Sequence, residues 1–275
     1  MDALSSLLSR FMISARVFHT GELCGIADFS EDHGVGHLHL VREGRAIVYH
    51  PDGPAIEIEV PSILFYPSAL SHRLVIPEGS AADVLCATIG FSEGKNNPLA
   101  KALPHYLLIP VAEVTSLSPT LGMLFEEAFT DRYGRQAMLD RLCEVLVIQV
   151  LRYSVQHDHV GHGMLGGLAD PALARALVAI HEQPGQSWTV ARLAERAGMS
   201  RSGFARHFHR LVGVTPANYL TEWRIAVAQG MLEKRRTVKA VAIEVGYGSQ
   251  AAFSKAFTQR VGMSPRTWVN QLAEN

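Results

Sequence analysis

Cysteine is scarce: Cys24, Cys86 and Cys143 are the only three in 275 residues. That is too few for a disulfide framework and fits a reducing compartment. Long apolar runs are also missing, and no stretch approaches the ~18 uninterrupted apolar residues of a membrane helix. The opening MDALSSLLSRFMISARVF is broken by Asp2, Arg10 and Arg16 and lacks a small-residue cleavage site, which argues against a signal peptide. The expectation is a soluble, cytoplasmic protein with no membrane partner. An excess of one charge is absent as well, with a formal net charge of −1. The halves differ, however. Residues 166–275 hold 14 Lys/Arg against 7 Asp/Glu, and residues 1–165 hold 11 against 19. A basic module suited to a polyanion is joined to an acidic module with another task.

What is present is a repeat. Phe204, Phe208, Gly213, Pro216 and Tyr219 recur 49 positions later as Phe253, Phe257, Gly262, Pro265 and Trp268. Leu193, Ala194 and Gly198 recur at 48 as Val241, Ala242 and Gly246. Each copy predicts a short helix, a glycine-bearing turn and a longer basic helix, the layout of a helix-turn-helix reader of DNA. Val190–Ala197 and Val238–Val245 are the supporting helices, and Thr189 caps the first. Arg201–Val212 and Gln250–Arg260 are the recognition helices, capped by Ser200 and Ser249. Helix Thr215–Leu232 joins them. Outward positions are Arg201, Ser202, Arg206 and Arg210 in the first copy and Ser249, Gln250, Ala251 and Lys255 in the second. Arg and Gln suit guanine and adenine edges, and helix starts and the remaining cations suit phosphates. Two such helices on one frame would enter successive major-groove turns, about 34 Å apart. Gly203, inside a recognition helix, implies close backbone approach there.

Residues 15 to about 90 carry strand signals. Ala55-Ile-Glu-Ile-Glu-Val60 alternates strictly, and short apolar runs at 38–41, 46–49, 63–66, 74–76 and 84–89 are separated by Gly- and Pro-bearing turns. This predicts an antiparallel sandwich or barrel. Residues 118–156 turn to helical period, with Ser118 as N-cap before Pro119, one helix ending near Gly134 and a second over 136–155. Residues 157–169, rich in Gly and in His157, His159 and His162, read as a linker, and Asp170-Pro171 opens the basic module. The domains are thus 1–156, the linker 157–169, and 170–275 with helix-turn-helix units at about 190–212 and 238–261.

The segment Gly246-Tyr-Gly-Ser-Gln-Ala-Ala-Phe253-Ser-Lys-Ala-Phe257-Thr-Gln-Arg-Val-Gly262-Met-Ser-Pro265 closely resembles the signature of the AraC/XylS family of bacterial transcription regulators. The match extends over residues 170–272. It implies that Ser202, Arg206, Gln250, Ala251 and Lys255 face bases and phosphates. The small Ser202, Ala205 and Ala251 leave direct readout to few side chains, with thymine methyls and DNA shape supplying the rest. Trp268, where the family has Tyr, is a packing substitution.

Residues 15–160 resemble the cupin-type effector domain of many members, through 29–44, 60–72, the Cys86 strand and Asn97-Pro98-Leu99. The implied fold is α+β: an antiparallel β-barrel with a helical hairpin that either mediates homodimer formation or packs on the chain's own barrel, then an all-α DNA-binding domain. His37 and His39 share one strand face. With His72, Cys86, Cys24 and His33 they form a candidate effector site, whose occupant is an organic molecule or, through His37, His39, His72 and Cys86, Zn or another divalent metal. Ordinary packed histidines are the third reading. His37-x-His39-x-x-x-Glu43 copies a cupin metal motif, but Glu43 immediately before Gly44 belongs in the hairpin turn. The function these features imply is a non-enzymatic regulator, an activator by family habit, with promoter DNA, RNA polymerase and a small effector as partners. The alternatives are a metal-dependent cupin enzyme fused to a DNA-binding domain and a constitutive DNA binder whose barrel only dimerises.

Overall fold

The computed structural model describes residues 3–31, 34–92, 97–157 and 163–274. His33, His159 and His162 lie outside the described residues. The described residues separate into two compact units, one rich in sheet (12–31, 34–92, 103–157) and one helical (3–11, 97–102, 163–274).

In the sheet unit the alternating segments form two antiparallel ladders. β1 (Ile13–Leu23), β8 (Ala82–Phe91), β3 (Gly36–Glu43), β6 (Ser62–Tyr66) and β9 (Leu107–Pro110) bond in that order. The second ladder runs β2 (Ile26–Phe29), β7 (His72–Val75), β4 (Ala46–Tyr49) and β5 (Ile56–Ile58). Val41, Leu64, Tyr66, Val84 and Cys86 from the first meet Ala46, Val48, Ile58 and Leu74 from the second in one buried cluster. No strand pairing links the ladders among the described residues, so the expected barrel is an open sandwich of cupin type. Glu43 ends strand β3 opposite Asp83 rather than sitting in the turn. Its carboxylate is exposed and lies toward Arg42, away from any shared site with His37 and His39.

Two helices complete this unit, α3 (Ser118–Ala128) and α4 (Arg135–Gln156). Ser118 does not cap α3. It is already helical at φ −51°, and Leu117 holds the cap position without a side-chain bond. α4 is fastened to an irregularity in β1, where the register with β8 slips between Val17 and His19. A bulge leaves backbone groups off the ladder. Here Asp140 Oδ1 accepts from the Val17 N–H at 2.8 Å and the Gln136 amide donates to the Val17 carbonyl at 2.8 Å.

In the helical unit, α1 (Ala3–Arg10) packs on α6 (Pro171–Glu182), so the first residues belong here and not with the strands that follow them. α2 (Pro98–Lys101), capped by Asn97, and α5 (Met164–Ala169) also join it. The stretch read as a linker therefore holds a helix. The tandem repeat becomes α7 (Val190–Ala197), α8 (Arg201–Val212), α9 (Pro216–Glu233), α10 (Val238–Glu244), α11 (Gln250–Val261) and α12 (Pro265–Glu274).

Candidate nucleic-acid interface and sheet cavity

The two helix-turn-helix units repeat in three dimensions what repeats in sequence. Phe204 and Phe208 are fully buried with centroids 5.5 Å apart, and Phe253 and Phe257 likewise at 5.6 Å. Phe208 meets the edge of Tyr219 at 5.6 Å and 74°, and Phe257 meets Trp268 at 6.0 Å and 71°. Trp268 thus fills the place Tyr219 fills. The predicted caps form: Thr189 accepts from the Arg192 N–H, Ser200 from Gly203 and Ser249 from Ala252. Gly213 and Gly262 end the recognition helices at φ +81° and +84°, conformations that side-chain-bearing residues avoid.

The units are locked on one frame. The Arg224 guanidinium donates to Pro184 O and Gln186 O, both at 2.8 Å, and lies over the Tyr247 ring. Arg260 reaches back from α11 to Glu222 and Asn218 of α9. Gly185 and Gly246 touch backbone to backbone, since a Cβ on Gly246 would stand 2.6 Å from Gly185 O.

All eight predicted DNA-facing residues (Arg201, Ser202, Arg206, Arg210, Ser249, Gln250, Ala251 and Lys255) are exposed. Their availability differs. Arg206 and Lys255 make no hydrogen bond or ion pair with other described residues, whereas the Arg210 guanidinium donates to His207 Nδ1 at 2.8 Å. That bond leaves the proton on Nε2, which donates to Asp170 Oδ2 at 2.8 Å. Burial alone would raise the Asp170 carboxyl, but the Leu173 amide, His207 and the Ala172 amide together hold it below the usual range. Arg210 therefore braces α8 on the α6 cap, an i,i+3 arrangement the sequence reading did not weigh. Gly203 has a local cause, because a Cβ there would stand 2.9 Å from the capping Ser200 hydroxyl.

The sheet unit brings His39, His72 and Cys86 together and completes a chain of hydrogen bonds. His72 Nδ1 donates to Leu70 O at 2.7 Å, so its Nε2 is a bare acceptor and takes the His39 Nε2–H at 2.8 Å. His39 Nδ1 then accepts from the Cys86 thiol at 3.2 Å. Every member is neutral. Burial, then the charges of His72 and His37, push His39 well below the ordinary imidazole range. Burial, aided by His37 and His50 and opposed by the Leu70 carbonyl, lowers His72 to about 4. Burial pushes the Cys86 thiol up to about 12. Among the described residues, no three His, Cys, Asp or Glu side chains stand where they can share a metal ion. The lone pairs of His39 Nδ1 and His72 Nε2 are already spent within the chain.

Sequence reasoning missed the aromatic surround. Tyr66 stacks on His72 with centroids 3.9 Å apart and bonds His50 Nε2 at 2.9 Å, His50 stacks on Tyr106, and Phe29 stacks on His72. A cavity of about 480 Å³ opens beside them, with Ile26, Phe29, Tyr49, His50, His72 and Arg73 in its wall. His37, His39 and Cys86 are buried and absent from that wall, and Cys24 is exposed and does not line it.

Residues 2–156 match the cupin family model, and residues 193–271 match a helix-turn-helix domain model. An uncharacterized HTH-type transcriptional regulator of Haemophilus influenzae is 36% identical, over 96% of this chain and 97% of its own. A putative AraC-like transcription regulator of Streptomyces antibioticus is 45% identical over 68% of this chain and 64% of its own. The chain belongs to the AraC family of transcription regulators. The RCS-specific HTH-type transcriptional activator RclR of Escherichia coli is also similar, at 29% identity over 99% of this chain and all of its own. As an AraC-type protein, the chain binds DNA through its helical unit and carries its cupin unit ahead of it. No helix among the described residues is long and apolar enough to cross a membrane.

Proposed function

We propose that this AraC-type protein activates transcription in the cytoplasm by seating α8 and α11 in successive major-groove turns of promoter DNA and engaging RNA polymerase. A small organic effector in the sheet-unit cavity controls it. The observation that carries the reading is the twinned packing of the two recognition helices, each offering an unpartnered cation, Arg206 or Lys255, on its exposed side. Activation is supported by the likeness to RclR of Escherichia coli, an HTH-type transcriptional activator.

The effector meets His72 and His50 in the cavity wall, while His39 and Cys86 form a neutral relay behind them. A thiol kept protonated by burial is not a nucleophile, which supports a sensor over an enzyme. Homodimer formation uses α3 and α4, where Met123, Met138 and Val145 are about half exposed and Tyr133, between the helices, is fully so.

Selection of duplexes from a random pool by the purified full chain tests the DNA reading. The expected product is a motif of two half-sites about 10 bp apart. Failure of a folded chain to enrich any sequence overturns it. Native mass spectrometry of the same preparation reports subunit number and any retained organic ligand.

A further inference from the structure

The two recognition helices repeat one another in packing but not in what stands beside their exposed side chains. His207 and Arg210 of α8 correspond, 49 positions later, to Ala256 and Gln259 of α11. Only the first copy therefore sets an imidazole against an exposed arginine. The His207 and Asp170 side chains are mostly covered, at 20% and 23% exposure, while Arg210 stands at the surface one turn beyond Arg206.

The geometry fixes which form of His207 can hold Arg210. A neutral imidazole has one N–H and one lone pair, whereas an imidazolium has two N–H groups and no lone pair. With Nε2–H donated to Asp170 Oδ2 at 2.8 Å, the Nδ1 lone pair is what accepts from the Arg210 guanidinium at 2.8 Å. A proton arriving at Nδ1 takes that lone pair and sets like charges face to face. The bond to Asp170 survives and becomes a charged pair. Protonation thus breaks one link and tightens the other. The charged groups that meet His207 are Asp170, at the start of α6, and Arg210, on α8 itself. Arg175 of α6 is turned to the carbonyls of Arg196 and Ala197. Of the helices packed on α8, α5 brings no titratable side chain, and those of α7 and α9 form no hydrogen bond or ion pair with His207. Imidazole is the side chain whose charge changes between about pH 5 and 8.

We propose that His207 is a positioning residue for DNA binding: neutral, it holds Arg210 off the duplex, and protonated, it releases Arg210 to a backbone phosphate, so the chain grips DNA more tightly in mild acid. The release of Arg210 is a property of the free chain. Its effect on affinity rests on the reading of α8 as a DNA-facing helix.

The test uses the full chain labelled with ¹⁵N at histidine and arginine, with His207→Gln and Arg210→Gln assigning the two side-chain signals. At about pH 8 the His207 ring is expected as the Nε2–H tautomer. On acidification Nδ1 should gain its proton and the Arg210 signal should move with the same midpoint. Affinity for the selected duplex is then followed from about pH 8 to about pH 6. All chains carry His209→Gln, which removes the other exposed imidazole of α8. The tightening should exceed that of Arg210→Gln by about fivefold, the worth of one ordinary hydrogen bond, and His207→Gln should lose the same increment. Asp170→Asn, which still caps α6, should move the response to lower pH, and it tests the linkage even where His207→Gln folds poorly. An Nδ1–H tautomer at the alkaline end, or an Arg210 signal that ignores the His207 titration, overturns the release. Equal tightening with and without Arg210, while its signal still moves, overturns the effect on DNA. If no duplex is selected while the two signals titrate together, the DNA reading fails, the DNA half of the proposal falls with it, and the release of Arg210 stands.

Discussion

Two arginines on one helix make the sharpest test of how this protein holds DNA. Arg206 and Arg210 lie one turn apart on α8 and both are exposed, but only Arg210 is engaged, through His207, to Asp170. Removing Arg206 by Arg206→Ala takes away no intramolecular bond, so fold and stability should stay as they are. If Arg206 reads a base edge, specific affinity falls by about 1–3 kcal/mol, or about 5- to 150-fold, and selectivity relaxes at one position. If it neutralises a phosphate, the loss is uniform across sequences and the slope of log K against log salt drops by about 0.9. Between 50 and 200 mM salt that slope change alone alters the ratio of affinities by about 3.5-fold. Arg210→Ala should cost less DNA affinity and at most about 1 kcal/mol of stability, because the lost bond is solvent-exposed. Titration of both variants against the selected duplex at several salt concentrations decides the matter. An Arg210→Ala loss equal to that of Arg206→Ala, or an unaltered Arg206→Ala isotherm, would refute the division of labour.

Other outcomes follow from the same geometry. Gly262→Ala should destabilise by about 1–2 kcal/mol, the cost of a left-handed backbone with open space around it. Gly246→Ala should lose more, since its Cβ also meets Gly185 O. Hydrogen exchange of the α10 and α11 amides measures both, and equal protection in the two variants would count against the glycine contact. The sheet unit should weaken in acid. His39 and His72 are lowered in the fold, so below about pH 6.5 the unfolded chain binds the extra protons and stability is lost as pH falls toward 4. His72 alone contributes about 1.4 kcal/mol per pH unit across that window. Urea midpoints against pH should show the slope, and His72→Gln should flatten it. His72→Ala should also blunt any effector response while leaving duplex selection intact. An unchanged dose response would remove His72 from the cavity's function.

Legibility followed local regularity. The helix-turn-helix pair was readable because phenylalanines four apart, repeated at a fixed interval, define the buried side of each recognition helix. His37 and His39 were readable as a pair because strand side chains alternate. His72 and Cys86 meet His39 only through cross-strand register, which a sequence does not print. α5 was hidden because Gly166 and Gly167 argue against helix. The reason for Gly167 is tertiary: a Cβ there would stand 2.8 Å from both Leu177 and Val212. The second role of Arg210 was equally invisible, since its partner's partner, Asp170, lies on another helix.

The register slip in β1 has a mechanical meaning. His19, just past the slip, is paired with Cys86, and Cys86 in turn is paired with His39, so the softest rung of the large sheet adjoins the buried relay. A strand bends most cheaply where its ladder is broken, and that point is gripped by Asp140 and Gln136 of the long helix behind it. Strain arising around the imidazoles has a short, stiff path to that helix, because Asp140 and Gln136 hold both backbone groups of Val17 directly.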